Sequence, residues 1–401
     1  MTNKDKDIRL LVSGAGVAGL SVAYWLARYG FKVTVVERAP YLRPGGQAID
    51  VRGEAALEVA ERMGVLAAIR ERSTKLTGVS IVDSGGKETF RSTERTMTGG
   101  RFDSPDIEIL RDHLCQVLYE AVGDRVEYLF DDTITGLDQD ETGVDVTFAN
   151  AAPRRFDLVI GADGLRSTVR RLAFGPDQQF IRYLGTYIAV FAVPNFLGLD
   201  HWQVFHQEGD ITGGMLVMGK DTKARTYLAF DTPEPLDYDY RDIAAQKRLV
   251  TEQLTGGAWE FPRLLAYMQD ASDFYFDSTN QICMDDWSRG RIVLLGDAGY
   301  SVSPVTGQGT SVAMIGAYVL AGELAAHKQE PLAGLASYEN KLREYVLRNQ
   351  ALAFSSTSSS EAPAVLGDPA GFDPITHPDG VPDFGQFAQP FDLKNYQELF
   401  Q

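Results

Sequence analysis

Three turns rich in glycine and acid carry the chemistry legible in this chain. The first is GAGVAG, with Gly14, Gly16 and Gly19 between an apolar run and a helical pattern. In a strand–turn–helix setting the first glycine permits the tight turn and the second lets a pyrophosphate reach the backbone. The third lets the helix pack closely on the strand. The exposed N–H groups and positive dipole end of such a helix face an anion. Glu37 closes the next apolar run, near the expected spacing of about 20 residues, where a carboxylate accepts hydrogen bonds from an adenosine ribose and repels a 2′-phosphate. These features suit FAD and NAD equally.

The stretch GDAGYSVSPVTGQGT at 296–310 separates the two. A second acidic turn at a strand end, far downstream, has no role in a simple NAD fold. FAD is longer, and its ribityl hydroxyls need an acceptor, which Asp297 supplies. Pro304 precedes Gly307, Gln308, Gly309 and Thr310, which read as a helix start with bare N–H groups aimed at the pyrimidine edge of a flavin. That partial positive charge favours a reduced flavin carrying its negative charge at N1. No Ser/His/Asp set or metal-ligand spacing accompanies these turns. The five histidines are scattered, and His206 reads as a sheet residue rather than a base.

The elements that hold these turns follow from periodicity. Residues 8–13 (IRLLVS) read as a strand buried on both faces, then a helix ends at Gly30 and 32–37 (KVTVVE) forms a second strand, one βαβ unit. Helical patterns occupy 54–71 and 107–122, and strands are expected at 144–148 and 156–160. From about 178 to 283, short runs such as WQVFHQ and RTYLAFDT predict a largely antiparallel sheet, interrupted by helices at 242–255 and 262–269. A buried strand returns at 291, followed by helices at about 309–327 and 335–352. The expected class is α/β: a Rossmann-like FAD-binding domain with an inserted, mainly antiparallel β-sheet substrate domain and a long C-terminal helix. The boundaries are 1–177 with 284–334 for the first, 178–283 for the second, and 335–401 for the C-terminal helix and irregular tail. Within that tail, 355–390 is rich in Ser, Pro, Gly and Asp, while FDLKNYQELF is apolar enough to dock back.

A net charge of −17 over 401 residues argues against sequence-independent nucleic-acid binding. Two cysteines, Cys115 and Cys283, give neither a disulfide framework nor a zinc spacing. There is no run of 18 apolar residues and no signal-peptide core, so a soluble, cytoplasmic protein without membrane partners is expected, as a monomer or weak homodimer.

With these residues in place, the chain resembles the FAD-dependent aromatic hydroxylases, the class A flavoprotein monooxygenases, from Ile8 to about Asn349. Three fingerprints occur in that family's order: GAGVAG with Glu37 and Arg38, DLVIGADGLRSTVR at 157–170, and RIVLLGDAGYSVSPVTGQGTSVAM at 291–314. Within the family it is most similar to the tetracycline-inactivating flavin monooxygenases, through RPGGQAIDVRG at 43–53, which includes Gln47, and IEILRDHL at 107–114. The resemblance implies that Asp50, Arg111 and Asp297 contact FAD, and that Arg43 serves NADPH or a mobile flavin. It implies that Asp163 orders its turn, and leaves Arg166 and Arg170 as either phosphate contacts or structural arginines. Relatives carry a histidine where this chain has Tyr300.

The implied reaction is NADPH- or NADH-driven hydroxylation with O2, through a flavin C4a-hydroperoxide, of a phenolic or enolic polycycle such as a tetracycline. Another aromatic or polyketide substrate, a flavin reductase or dehydrogenase that inserts no oxygen, and an FAD-binding sensor are the alternatives. Phe191, Phe205, Thr212, Met215 and Tyr227 are the expected substrate wall.

Overall fold

A computed structural model describes residues 8–94, 101–220, 222–354, 390–396 and 398. Its frame is a six-stranded sheet. Ile292–Leu294, Leu158–Gly161, Arg9–Ser13, Lys32–Glu37 and Glu127–Phe130 run parallel in that order, and Ser288–Arg289 adds an antiparallel edge. These strands are near-continuous apolar runs because both faces are covered. Leu10, Val12, Val33 and Val35 face a core shared with the helices Val17–Arg28 and Gly309–Ala326. Leu11, Val36 and Val159 face the three-stranded antiparallel layer formed by Ile134–Gln139, Val144–Phe148 and Arg154–Phe156. Gly309–Ala326 is long and apolar enough to cross a membrane, and 83% of it is buried inside the fold.

A seven-stranded sheet follows the order Tyr275–Ile282, Ile181–Val193, Ala224–Asp231, Ile211–Val217, Trp202–Glu208, Gly78–Val82 and Glu88–Ser92. All neighbours are antiparallel except Trp202–Glu208 with Gly78–Val82. Helices Ile243–Leu254 and Phe261–Asp270 back one face of it. Two of its strands come from 78–92, so this sheet is not confined to 178–283.

Two expected helices need correction. The pattern over 54–71 is two helices, Glu54–Arg62 and Leu66–Glu71. Gly64, at φ 74°, ends the first: its N–H meets Glu61 O and the Val65 N–H meets Ala60 O, the paired bonds of a Schellman turn. The pattern over 107–122 is a strand, Ile107–Leu110, then a helix, Arg111–Val122. Ile107, Leu110 and Leu114 fit the helical period while Ile107 and Ile109 fit the strand period, and pairing with Ala48–Val51 decides for the strand. At the C-terminus Tyr396 is buried, its ring filling the space beside Gly322 and its hydroxyl bonding Glu323 at 2.6 Å. The stretch 355–389, expected to be irregular, lies outside the described residues.

Candidate functional site

At the first turn the three glycines answer to different neighbours. A Cβ on Gly14 (φ 102°) would lie 2.6 Å from Ala162 O, and one on Gly19 would lie 1.9 Å from Gly14 O. A Cβ on Gly16, the N-cap of Val17–Arg28, would meet nothing within 4 Å. The flanking glycines are required by protein contacts, while the middle one opens a helix N-terminus to free space, as a pyrophosphate needs. Glu37 is held at this turn by the N–H groups of Ala15 and Ala39, each at 2.8 Å, and Arg38 beside it is exposed.

The middle fingerprint braces rather than reaches. Asp163 accepts the Ser167 hydroxyl at 2.5 Å and the N–H of Thr168 at 2.8 Å, ordering its own turn beside Gly14. Arg170 is fully buried and donates to Ala298 O, Leu165 O and Asp177 at 2.6–2.7 Å. Arg166 pairs with Asp277 at 2.8 Å. Of the two readings left open for these arginines, the structural one matches their partners: Arg170 ties the Asp163 turn to the Asp297 turn.

At the second end, Asp297 begins a one-turn helix, Asp297–Tyr300, with its side chain exposed. Tyr300 points the other way, its hydroxyl 2.7 Å from that of Tyr338 and its ring against Trp287, so the tyrosine belongs to the core. Ser303 holds φ 94° immediately before the exposed Pro304, a strained backbone of the kind found where a ligand is gripped. Gly307 (φ 63°) sits over Asp50 and Arg52: a Cβ there would be 2.5 Å from Arg52 Nη1 and 3.1 Å from Asp50 Oδ2. Gly309 opens the long helix beside the half-buried Thr310, and a Cβ on it would meet nothing within 4 Å. Gln308 is fully buried, and neither Oε1 nor Nε2 has a hydrogen-bond partner among the described residues. A second bare helix start with a free-space glycine and an exposed carboxylate beside it fits the flavin half of FAD.

The loop 43–53 closes over the helix that begins at Arg111. Arg111 N–H donates to Gln47 O at 3.1 Å, and a Cβ on Gly46 would be 3.0 Å from Arg111 Nε. Arg43 lies 5.3 Å over the Tyr275 ring. Tyr275 and Arg52 were not singled out from sequence. Arg52 carried a signal, since it sits two residues beyond Asp50, on the same side of an extended chain.

The seven-stranded sheet divides the expected substrate wall in two. Directly opposed residues share a face. Phe191, Thr226, Met215 and Val204 are cross-strand partners, and all four are buried on the side backed by helices. Phe191 and Met215 therefore do not line a groove, which corrects the sequence reading. The next row is Tyr275, Val190, Tyr227, Gly214 and Phe205 on the other face. Thr212 shares this face, opposite Ala229. The Phe205 ring covers Gly214 and lies 6.2 Å from Tyr227, whose hydroxyl accepts the Ala48 N–H at 2.8 Å. This face thus looks onto the loop that carries Asp50.

Comparison with known proteins follows the same lines. A family model described as FAD binding domain matches residues 7–351. An uncharacterised protein of Mycobacterium tuberculosis is 55% identical over 341 residues, 85% of this chain and 91% of its own. A flavin-dependent monooxygenase from an unknown prokaryotic organism is 41% identical over 86% of this chain and 88% of its own. The solved structure of tetracycline destructase Tet(51) superposes with a TM-score of 0.80 at 36% identity, over 88% of this chain and 90% of that one.

Proposed function

The chain belongs to the FAD-binding-domain family and is a class A flavin-dependent monooxygenase, and from that premise we propose that it hydroxylates a flat phenolic or enolic polycycle, with tetracyclines as the leading substrates. The observation that carries this reading is the aromatic sheet face that looks onto the Asp50 loop. Phe205, lying over Gly214, stands there with the rings of Tyr227 and Tyr275 and the short residues Ala229 and Thr212. Such an aromatic wall takes a fused planar ring system more readily than a compact or branched molecule.

Bound FAD, reduced by NADPH or NADH, supplies the activation of O2. The chain's own work is to bind and orient. Gly16 and the first helix start take the pyrophosphate, and Glu37 takes the adenosine ribose. Asp297 accepts from the ribityl chain. Gly307, Gly309 and Thr310 put N–H groups at the pyrimidine edge, with Asp50 and Arg111 beside it. Arg43, stacked on Tyr275, serves the nicotinamide coenzyme. Phe205 and Tyr227 hold the reacting ring and keep water from it. Two free cysteines, Cys115 and Cys283, fit a reducing cytoplasm.

The test follows NADPH and NADH consumption against a panel of tetracyclines, simple phenols and polyketides, with mass spectrometry under 18O2. Substrate-stimulated oxidation with one labelled oxygen in a tetracycline product is expected. Productive turnover with no label incorporated would remove the oxygenase reading. Label confined to simple phenols would remove the tetracycline one.

A further inference from the structure

Ala48–Val51 and Ile107–Leu110 form an antiparallel ribbon in which Asp50 lies opposite Glu108. Opposed residues leave the same face, so two carboxyls stand side by side and repel when both are ionised. Among the described residues Arg52 pairs with Asp50 at 3.2 Å, both side chains buried. Glu108 takes its hydrogen bond from a neutral group, the Thr74 hydroxyl at 2.9 Å. From the facing sheet Tyr227 reaches the ribbon through Ala48 N–H, while Arg225 on the same strand pairs with Asp273 and Asp112.

This ribbon lies against the flavin-edge loop. Asp50 and Arg52 crowd the Cβ position of Gly307, and Arg52 N–H donates to Ser311 Oγ at 2.8 Å, inside the first turn of Gly309–Ala326. A change of charge on the ribbon is therefore felt at the N–H groups of that helix start.

We propose that Asp50 and Glu108 share one proton, and that Glu108, by holding it, is a positioning residue that keeps a second negative charge from the flavin-edge loop. The proposal rests on the flavin reading above. With Glu108 neutral, the ribbon carries one negative charge fewer beside the helix N-terminus that favours an anionic reduced flavin. When Glu108 releases its proton to solvent, that charge is added beside the loop and opposes reduction. Burial and the neighbouring Asp50 carboxylate push the Glu108 carboxyl up to about 8, against the lowering effect of Thr74 and Arg52.

The experiment uses the holoenzyme and Glu108→Gln, whose amide imitates the neutral acid. Flavin midpoint potentials are measured over a pH series centred on about 8. The two curves should coincide at the acid end and separate as pH rises, the unsubstituted enzyme falling more steeply. Parallel curves overturn the proposal. Infrared difference spectra supply a readout that needs no flavin. A protonated-carboxyl band should be present at neutral pH, fade through the same range and be absent from Glu108→Gln. In Asp50→Asn, which lacks the like charge, it should fade at lower pH. A band that survives in Glu108→Gln, or none at neutral pH in the unsubstituted chain, overturns the shared proton. Failure to bind FAD would instead sink the flavin reading, and the infrared result would still decide this one.

Discussion

Replacing Phe191 and Phe205 separately by alanine tests which side of the seven-stranded sheet holds substrate. Phe191 is 0% exposed and packs among Val193, Phe274 and the two helices behind the sheet. Removing its ring costs the transfer free energy plus a cavity, about 3–5 kcal/mol for a fully buried phenylalanine. Phe205 is half-buried over Gly214, so its truncation costs only about 1 kcal/mol, roughly half the transfer free energy of about 1.5–3 kcal/mol for a fully buried side chain without a cavity. It removes a ring from the substrate face, worth about 1–2 kcal/mol of transition-state binding, or roughly 5- to 30-fold in kcat/KM. Denaturant midpoints of the holoenzymes and steady-state kinetics with the preferred substrate read both quantities. Phe191→Ala should unfold at markedly lower denaturant, and Phe191→Leu, which leaves a smaller cavity, should fold with unchanged KM. Phe205→Ala should lower its midpoint far less than Phe191→Ala does and lose kcat/KM. A Phe191→Leu enzyme with raised KM, beside a Phe205→Ala enzyme of normal kinetics, would refute the assignment of faces.

Asp297→Ala should purify with lower FAD occupancy, read from flavin absorbance per chain, because a ribityl hydroxyl loses its acceptor; full retention contradicts the role. Glu37→Ala should weaken FAD binding by about 1–3 kcal/mol in a fluorescence titration, the scale of a charge-assisted hydrogen bond, and lower the apoprotein melting temperature, because the Ala15 and Ala39 N–H groups lose their acceptor. An unchanged affinity counts against ribose recognition. The Glu108 carboxyl is raised from 4.5 to about 8 on folding, so its contribution to stability is full below about 4.5 and is lost as pH rises through about 8. Melting temperatures of Glu108→Gln should therefore fall less over that window than those of the unsubstituted chain, and identical profiles would exclude a folded-state shift.

Much of the nucleotide end was legible in the residues themselves. Gly14, Gly16 and Gly19 act within one strand–turn–helix unit, where each neighbour is close in sequence and the spacing defines the geometry. The Asp297 turn and the helix opened by Gly309 are local in the same way. The pattern misled where two periods fit one stretch, as over 107–122. It also passed over Gly64, although a glycine at the close of an apolar helical run is a stop signal.

What the amino-acid order determined alone was therefore a set of short-range devices: two bare helix starts, two strand-end acids and an alternating β-rich segment between them. Tertiary structure decided which side of that segment faces the groove. Alternation tells that a strand has two faces, but here both are largely covered, and only the register against distant strands puts Phe205 and Tyr227 on one side and Phe191 and Met215 on the other. The same holds for Arg170, whose acceptor at Ala298 lies on another element, and for Glu108, which meets Asp50 only across a paired ribbon. Contacts between residues far apart in the chain depend on how whole elements pack, and no spacing within a single element encodes them.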